Sequence, residues 1–316
     1  MSTFQFDQAT HTTLLGTNDS GLTCYTGHVS KDWTIGTVPN VSYVLSNIFD
    51  AVLKHYSERY QKHPIALNSY FFGKSIPGPF IVEIQELKSS SKGYCICQAA
   101  LKQHKNIQQA LPATLDEYRQ FNDDDLIVKV HGVFTMGNME AETGKTHYHK
   151  NPKAPSRDTM IPVKYPFMAD LVDVYMEPST LPHAVATGKP IFAHSVDDEV
   201  VPGQPELSQS MAFADGRPID VKSLAYYADM FVPPPALLGA AFWKGPIWCA
   251  TMQLEILFKR IPQHSPSVLA HFHVPHIINN RCDLDGELFD AEGNILAVTR
   301  HQCTILDWSR SMIPKM

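Results

Sequence analysis

The sequence lacks a long apolar run and an excess of positive charge. Its longest apolar stretch, Phe231 to Trp243, contains three consecutive prolines at 233–235 and is too short to span a bilayer. The formal net charge of the 316 residues is −6, so the chain has no basic field of the kind that attracts a polyanion. We therefore expect a protein that neither crosses a membrane nor binds nucleic acid.

Cysteines are few and scattered, and no two have Cys-x-x-Cys spacing. The polar segment 1–13 also lacks the charged and then apolar pattern of a signal peptide. Both observations predict reduced cysteines and a cytoplasmic protein. The segment 314–316, Pro-Lys-Met, is only weakly similar to a peroxisomal Ser-Lys-Leu signal. The six cysteines are Cys24, Cys95, Cys97, Cys249, Cys282 and Cys303.

Several catalytic motifs are also missing. The sequence has no glycine-rich nucleotide loop and no Gly-x-Ser-x-Gly elbow, and Cys95 and Cys97 have no basic neighbour. Histidines two residues apart, at 147 and 149 and at 271 and 273, could face one side of an extended segment. No acidic or cysteine ligand stands beside them at a familiar spacing. We expect no cofactor and no metal, and any hydrolysis should use activated water.

The pattern of elements occurs twice along the chain. Apolar residues from Val41 to Leu53 recur at helical spacing after a candidate N-cap, Asn40. A second apolar stripe, from Val221 to Val232, is ended by the prolines at 233–235. Each stripe is followed by four strand-like runs. These runs are 65–72, 80–87, 94–101 and 126–136 in the first half, and 249–258, 267–274, 282–289 and 295–306 in the second.

A helix that buries its whole apolar stripe needs a sheet that curls around it, which is the α+β hotdog arrangement. The repeat therefore predicts a double hotdog, with two fused domains that each wrap a long helix in a curved antiparallel sheet. We place the domains at 1–136 and 191–316. The proline-rich segment 137–190 between them is predicted to be a linker with a possible short helix near 166–175.

Three polar residues of the second half are candidates for a site. Asp229 falls at the margin of the apolar helix stripe, where partial burial would raise its pKa and make it a better base near neutrality. Thr251 and Gln302 interrupt strand-like runs, and each could hold a water molecule. Each residue alone is better explained as a solvent-facing side chain, and only the combination favours a site.

The second half resembles the C-terminal hotdog of type II acyl-CoA thioesterases and of the broader thioesterase-like superfamily. The resemblance is carried by 223–229 (SLAYYAD), 248–254 (WCATMQL) and 285–302 (DGELFDAEGNILAVTRHQ), and in the first half by 32–33 and 68–80. The family pattern is an Asp late in the second helix, a Thr at the start of the next strand and a Gln in the last strand. Asp229, Thr251 and Gln302 match it in that order.

The resemblance implies an acyl-thioester hydrolase that acts on acyl-CoA or a carrier-bound acyl thioester. Asp229 would accept a proton from a water that Thr251 and Gln302 orient, and a backbone N–H at a helix N-terminus would stabilise the oxyanion. Hotdog proteins usually associate through their sheets, so a homodimer is expected. Two alternatives stay open: a hotdog hydratase or dehydratase, although no Asp–His pair stands near either helix, and a non-catalytic acyl-binding protein.

Overall fold

The computed structural model of the protein describes residues 2–187 and 203–308. The first half contains a sixteen-residue central helix, α2, and two shorter helices. Its helices are α1 (Gln5–Ala9), α2 (Val41–Tyr56) and α3 (Leu115–Gln120). Its strands are β1 (Thr12–Thr17), β2 (Thr23–Val29), β3 (Thr34–Ile35), β4 (Val38–Pro39), β5 (His63–Phe71), β6 (Gly78–Lys88), β7 (Cys95–His104) and β8 (Leu126–Gly137).

The second half repeats this arrangement with a shorter central helix, α5. Its helices are α4 (Pro182–Thr187), α5 (Val221–Tyr227) and α6 (Ala240–Trp243). Its strands are β9 (Ile161–Val163), β10 (Val172–Met176), β11 (Glu206–Phe213), β12 (Ile247–Phe258), β13 (Val268–His273), β14 (Ile277–Ile278), β15 (Arg281–Phe289) and β16 (Ile295–Asp307). Short 3-10 helices lie at 123–125, 139–141, 157–159, 178–180 and 234–238.

Strands of both halves form one continuous antiparallel sheet. Its order is β1-β2-β6-β7-β8-β5-β12-β16-β15-β13-β11-β10-β9, and β14 pairs with β15 beside this path. The two halves meet where β5 pairs with β12, for example at Ser69 opposite Leu254. The sheet encloses α2 and α5, which pack against each other. This architecture confirms the predicted double hotdog.

Helix α2 forms as its sequence predicts. The side chain of Asn40 accepts a hydrogen bond from the amide of Tyr43, so it caps the helix at its N-terminus. Val44, Leu45, Ile48 and Phe49 are almost completely buried. Their spacing of three and four residues places them on one stripe, which the curved sheet covers.

Helix α5 is shorter than predicted. It begins at a capping box formed by Asp220 and Ser223, and it ends at Tyr227. Asp229 therefore lies in the turn after the helix and not within it, and its amide donates to the carbonyl of Tyr226. After this turn, Gln209 Nε2 donates to the carbonyl of Met230 at 2.7 Å, and the prolines at 233–235 follow.

Buried ion pairs hold α5 against α2. Lys222 Nζ lies 3.2 Å from Asp50 Oδ1 and 3.0 Å from Asp7 Oδ1. Arg217 binds the same Asp7 and the cap residue Asp220. Salt bridges to Arg217 and Lys222 outweigh burial and hold the pKa of Asp7 at about 2. The contacts fix the start of α5 and, through it, the turn that carries Asp229.

The eight predicted strands are present, with ends shifted by no more than three residues. The prediction of a short helix near 166–175 is wrong, because Val172–Met176 is strand β10 and pairs with β11. The segment predicted as a linker thus adds β9 and β10 to the sheet of the second half. Its predicted end at residue 190 and the terminal 314–316 lie outside the described residues.

Among the described residues, no helix has the length and apolar character needed to cross a bilayer.

Candidate active site

A cavity of about 1270 Å³ opens between the two halves of the protein. The first half contributes the N-terminus of α2 and the end of β5, and the second half contributes the turn after α5 and the strands β12, β15 and β16. Its wall is mainly apolar and includes Phe231, Trp243 and Trp248. Among the described residues that line the cavity, Asp229 is the only carboxylate, and Lys74 and Lys129 are the only cations.

The Asp229 side chain is only 10% exposed at the wall of this cavity. Burial raises the pKa of Asp229 from 3.8 to about 7, and a hydrogen bond from Thr251 opposes part of that rise. A carboxylate costs free energy to ionise where water is scarce, so its proton affinity increases. Asp229 is therefore a base that can exchange a proton near neutral pH.

Thr251 reaches Asp229 because strand β12 contains a bulge. Thr251 pairs with Cys303 and Gln253 pairs with Gln302, so Met252 is an extra residue on β12. In a regular strand Thr251 and Gln253 would lie on the same face. The extra residue turns Thr251 into the cavity, where its Oγ1 donates to Asp229 Oδ1 at 3.3 Å. The structure thus brings two of the three predicted residues together.

The structure does not bring Gln302 to this pair. Along β16 the side chains of His301 and Cys303 are buried, and Gln302 between them is exposed. Successive side chains of a strand point to opposite faces, so Gln302 lies on the outer face of the sheet. The expectation that Gln302 orients a water beside Asp229 does not fit this placement.

His301 occupies the inward position that the sequence interpretation gave to Gln302. Its side chain is fully buried, and its Nε2 lies 3.4 Å from Asp229 Oδ1. Burial lowers the pKa of His301 to about 3, and nearby backbone of Leu284 and Ala228 opposes the change. The ring is therefore neutral at physiological pH. In the sequence, polar residues at 300, 302 and 304 alternate with Cys303 and Ile305, and this pattern is the signal that could have identified His301 as inward-facing.

Two of the histidines considered as metal ligands in the sequence analysis lie beside carboxylates at the surface. His271 Nε2 lies 3.4 Å from Glu206, and His273 Nε2 lies 3.9 Å from Asp285. Within residues 2–187 and 203–308, no group of three or more His, Cys, Asp or Glu side chains is placed to hold a metal ion. The thiols of Cys249, Cys282 and Cys303 line the cavity beside Thr251.

Comparisons with known proteins agree with this architecture. Residues 29–116 match the acyl-CoA thioesterase N-terminal domain, and residues 149–305 match the acyl-CoA thioesterase C-terminal domain. Together the two matches, in the expected order, span most of the chain. The fold and the paired domains define a double-hotdog protein. The chain belongs to the acyl-CoA thioesterase family.

Solved structures share the fold over nearly the whole length. A protein of unknown function with a hotdog fold from Alicyclobacillus acidocaldarius is 18% identical, with a TM-score of 0.70, over 96% of this chain and 99% of that chain. An acyl-CoA thioesterase II from Mycobacterium marinum is 14% identical, with a TM-score of 0.65, over 96% of this chain and 99% of that chain. At these identities the likeness shows the fold alone. The search of curated proteins gives no match.

Proposed function

We propose that this protein hydrolyses an acyl-CoA or a related acyl thioester, with Asp229 as the general base. One observation carries the proposal: Asp229 is the only carboxylate on the described wall of a large apolar cavity, and its pKa of about 7 suits proton transfer. Membership of the acyl-CoA thioesterase family supports the substrate class.

In the proposed reaction, water held by Asp229 and Thr251 attacks the thioester carbonyl. The Asp229 carboxylate takes the proton of that water as the carbon–oxygen bond forms. The tetrahedral intermediate then collapses, the carbon–sulfur bond breaks, and the protonated Asp229 returns its proton to the sulfur. The products are a carboxylic acid and a thiol, and no covalent acyl-enzyme is formed. General base assistance of this kind contributes about 10²- to 10⁴-fold to the rate.

The N-terminus of α2 is the candidate site for the oxyanion. Asn40 and Val41 line the cavity, and the first amides of a helix have no acceptor within it. The side chain of Asn40 accepts a hydrogen bond from the amide of Tyr43, which leaves the amide of Val41, a residue of the cavity wall, for a ligand. The positive end of the helix dipole adds to the stabilisation of a developing negative charge.

The two lysines on the cavity wall suit the charged part of the substrate. Lys129 is half-buried, and burial lowers its pKa. An anion bound beside it would offset this cost of burial. We place the phosphates of coenzyme A, or of a pantetheine carrier, near Lys74 and Lys129. The acyl group then lies against the aromatic wall around Phe231, Trp243 and Trp248.

A hydratase or dehydratase is the second candidate, because Asp229 does contact a histidine, His301. In such a reaction the histidine must reach the substrate to exchange a proton with carbon. The described wall of the cavity includes Asp229 and Cys303 but not His301. This placement favours hydrolysis over hydration.

A panel of acyl-CoA substrates tests the proposal. We expect the purified protein to release free thiol, measured with a thiol-reactive dye, from at least one saturated or aromatic acyl-CoA. Hydration of an enoyl-CoA, seen as loss of its ultraviolet absorbance without thiol release, would overturn the proposal. Saturable binding of acyl-CoA without either reaction would identify an acyl-binding protein instead.

A further inference from the structure

His301 is a fully buried polar side chain without a regular hydrogen bond. Neither ring nitrogen forms a hydrogen bond of good geometry with any described residue. A buried polar group in this state costs stability, so its retention calls for an explanation. Backbone groups of Leu284 and Ala228 also lie near the ring, and the side-chain neighbour that could satisfy it is Asp229, whose Oδ1 lies 3.4 Å from Nε2.

The surroundings of His301 hold the ring in place. The rings of Phe231 and His301 are nearly perpendicular, with a centroid distance of 5.5 Å and an interplanar angle of 88°. The ring is directly opposite Leu284 of β15 and Leu254 of β12. These buried apolar neighbours leave the imidazole little freedom to turn away from Asp229.

We propose that the neutral imidazole of His301 positions Asp229 by donating a hydrogen bond from Nε2 to Oδ1 whenever the carboxylate is ionised. The inference rests on the proposed role of Asp229 as the base. Because His301 does not line the cavity, it acts through Asp229 and not on the substrate. Thr251 donates to the same carboxylate, so two donors would fix its orientation toward the water.

The other ionisable groups that face this pair do not explain it. Cys249 and Cys303 lie close to Asp229, and burial and neighbouring groups raise the pKa of both thiols, so they stay neutral. A hydrogen bond with Cys303 lowers the pKa of Cys282. Asp285, on β15, pairs with Arg300 at 2.7 Å on the outer face. Cys282 is therefore the one other nearby group whose ionisation could affect the pH dependence of kcat/KM, so its contribution has to be measured separately.

The first test compares the pH dependence of kcat/KM in the wild type, His301→Gln and His301→Leu. Leucine removes the donor. The acid limb, which is the rise of kcat/KM with pH as Asp229 ionises, should therefore move up by about one pH unit or more. The plateau of kcat should fall about tenfold. Glutamine keeps a neutral N–H donor, so the limb should stay within about 0.3 unit of the wild type. Cys282→Ala measures what this thiol contributes to the limb. Gln302→Ala changes the neighbouring outer-face residue of the same strand, so it is the matched control and should leave the limb in place.

Two results would overturn the inference. An unchanged limb in His301→Leu, with circular dichroism showing a folded protein, would mean that the ring does not act on Asp229. A limb that moves down would mean that the ring accepts a hydrogen bond from the neutral acid instead of donating one to the carboxylate.

A second readout needs no turnover, so it separates this inference from the proposed hydrolysis. Nitrogen-15 NMR of the whole protein, with the His301 signal assigned from the His301→Gln spectrum, reports which ring nitrogen carries the proton. We expect Nε2–H at pH 9 and a shift of this signal as Asp229 titrates near pH 7, which Asp229→Asn abolishes. Nδ1–H at pH 9 would overturn the inference even in a protein that cleaves thioesters.

Discussion

Gln302 lies directly opposite Gln253 across β12 and β16, on the face of the sheet away from Asp229. Directly opposite residues of an antiparallel pair share a face, and their chain neighbours take the other face. The next pair toward the cavity is Thr251 with Cys303, and it faces inward because Met252 is the extra residue of a bulge. This register places Thr251 and His301 at Asp229 and excludes Gln302.

Gln302 should therefore tolerate substitution. We predict that Gln302→Ala changes kcat/KM by no more than about twofold, because solvent-facing substitutions away from a site rarely matter. Thiol release from the best acyl-CoA substrate measures this. A loss of tenfold or more would restore Gln302 to the site and show that the register described above does not hold in the working protein.

Thr251 should matter through its hydroxyl group. We predict that Thr251→Val lowers kcat about 10- to 100-fold, because a hydrogen bond to an ionised carboxylate is lost. The same change should move the acid limb of kcat/KM upward, since the Thr251 hydrogen bond lowers the pKa of Asp229. Thr251→Ser keeps the hydroxyl and is the matched control. Equal activities of the valine and serine variants would contradict the assignment.

The raised pKa of Asp229 also predicts how stability depends on pH. The unfolded chain ionises Asp229 near 3.8, and the folded chain does so only near 7, so folding binds a proton between these values. This stabilising contribution is complete below about pH 4 and is lost as the pH rises to about 7. Asp229→Asn has no ionisable group at this position. The free energy of unfolding of the variant minus that of the wild type should therefore rise by as much as about 4 kcal/mol between pH 4 and pH 8.

Urea unfolding of both proteins at pH 4.5, 6 and 8 checks this prediction. Asp7 titrates in both proteins. Because its pKa is lowered to about 2, its ionised form contributes stability above about pH 4, and this contribution is lost as the pH falls toward 2. It is the same in the two proteins and therefore cancels in their difference. A difference that stays constant from pH 4.5 to 8 would show that Asp229 has an ordinary pKa.

Much of the fold could be predicted from sequence because its signals are local. The helical stripe of α2, its cap at Asn40 and the eight strand runs follow from apolar periodicity and turn residues. Short or polar strands were missed. The sequence predicts a helix near 166–175, whereas 172–176 is a strand. Its pairing with 209–213 is a contact between distant segments, so no local pattern reveals it.

The candidate site was less predictable because it depends on register. Asp229 and Thr251 were identified by resemblance, and their contact depends on a single extra residue at Met252. A one-residue shift in a strand exchanges its two faces, so the sequence predicts Gln302 at a position where the structure has His301. Nothing local in the sequence marks the bulge. The polar residues at 300, 302 and 304, which alternate with Cys303 and Ile305, do indicate that His301 faces inward.

Thioester cleavage by the wild type and Asp229→Asn, compared from pH 5 to 9, tests the central claim most directly. Asparagine keeps the size and neutral hydrogen bonding of the side chain but cannot take a proton from water. We predict that wild-type kcat/KM rises with pH to a plateau above about pH 7. The kcat/KM of the folded variant should be at least about a hundredfold below that plateau. A folded Asp229→Asn protein that releases thiol at the wild-type rate would contradict the account.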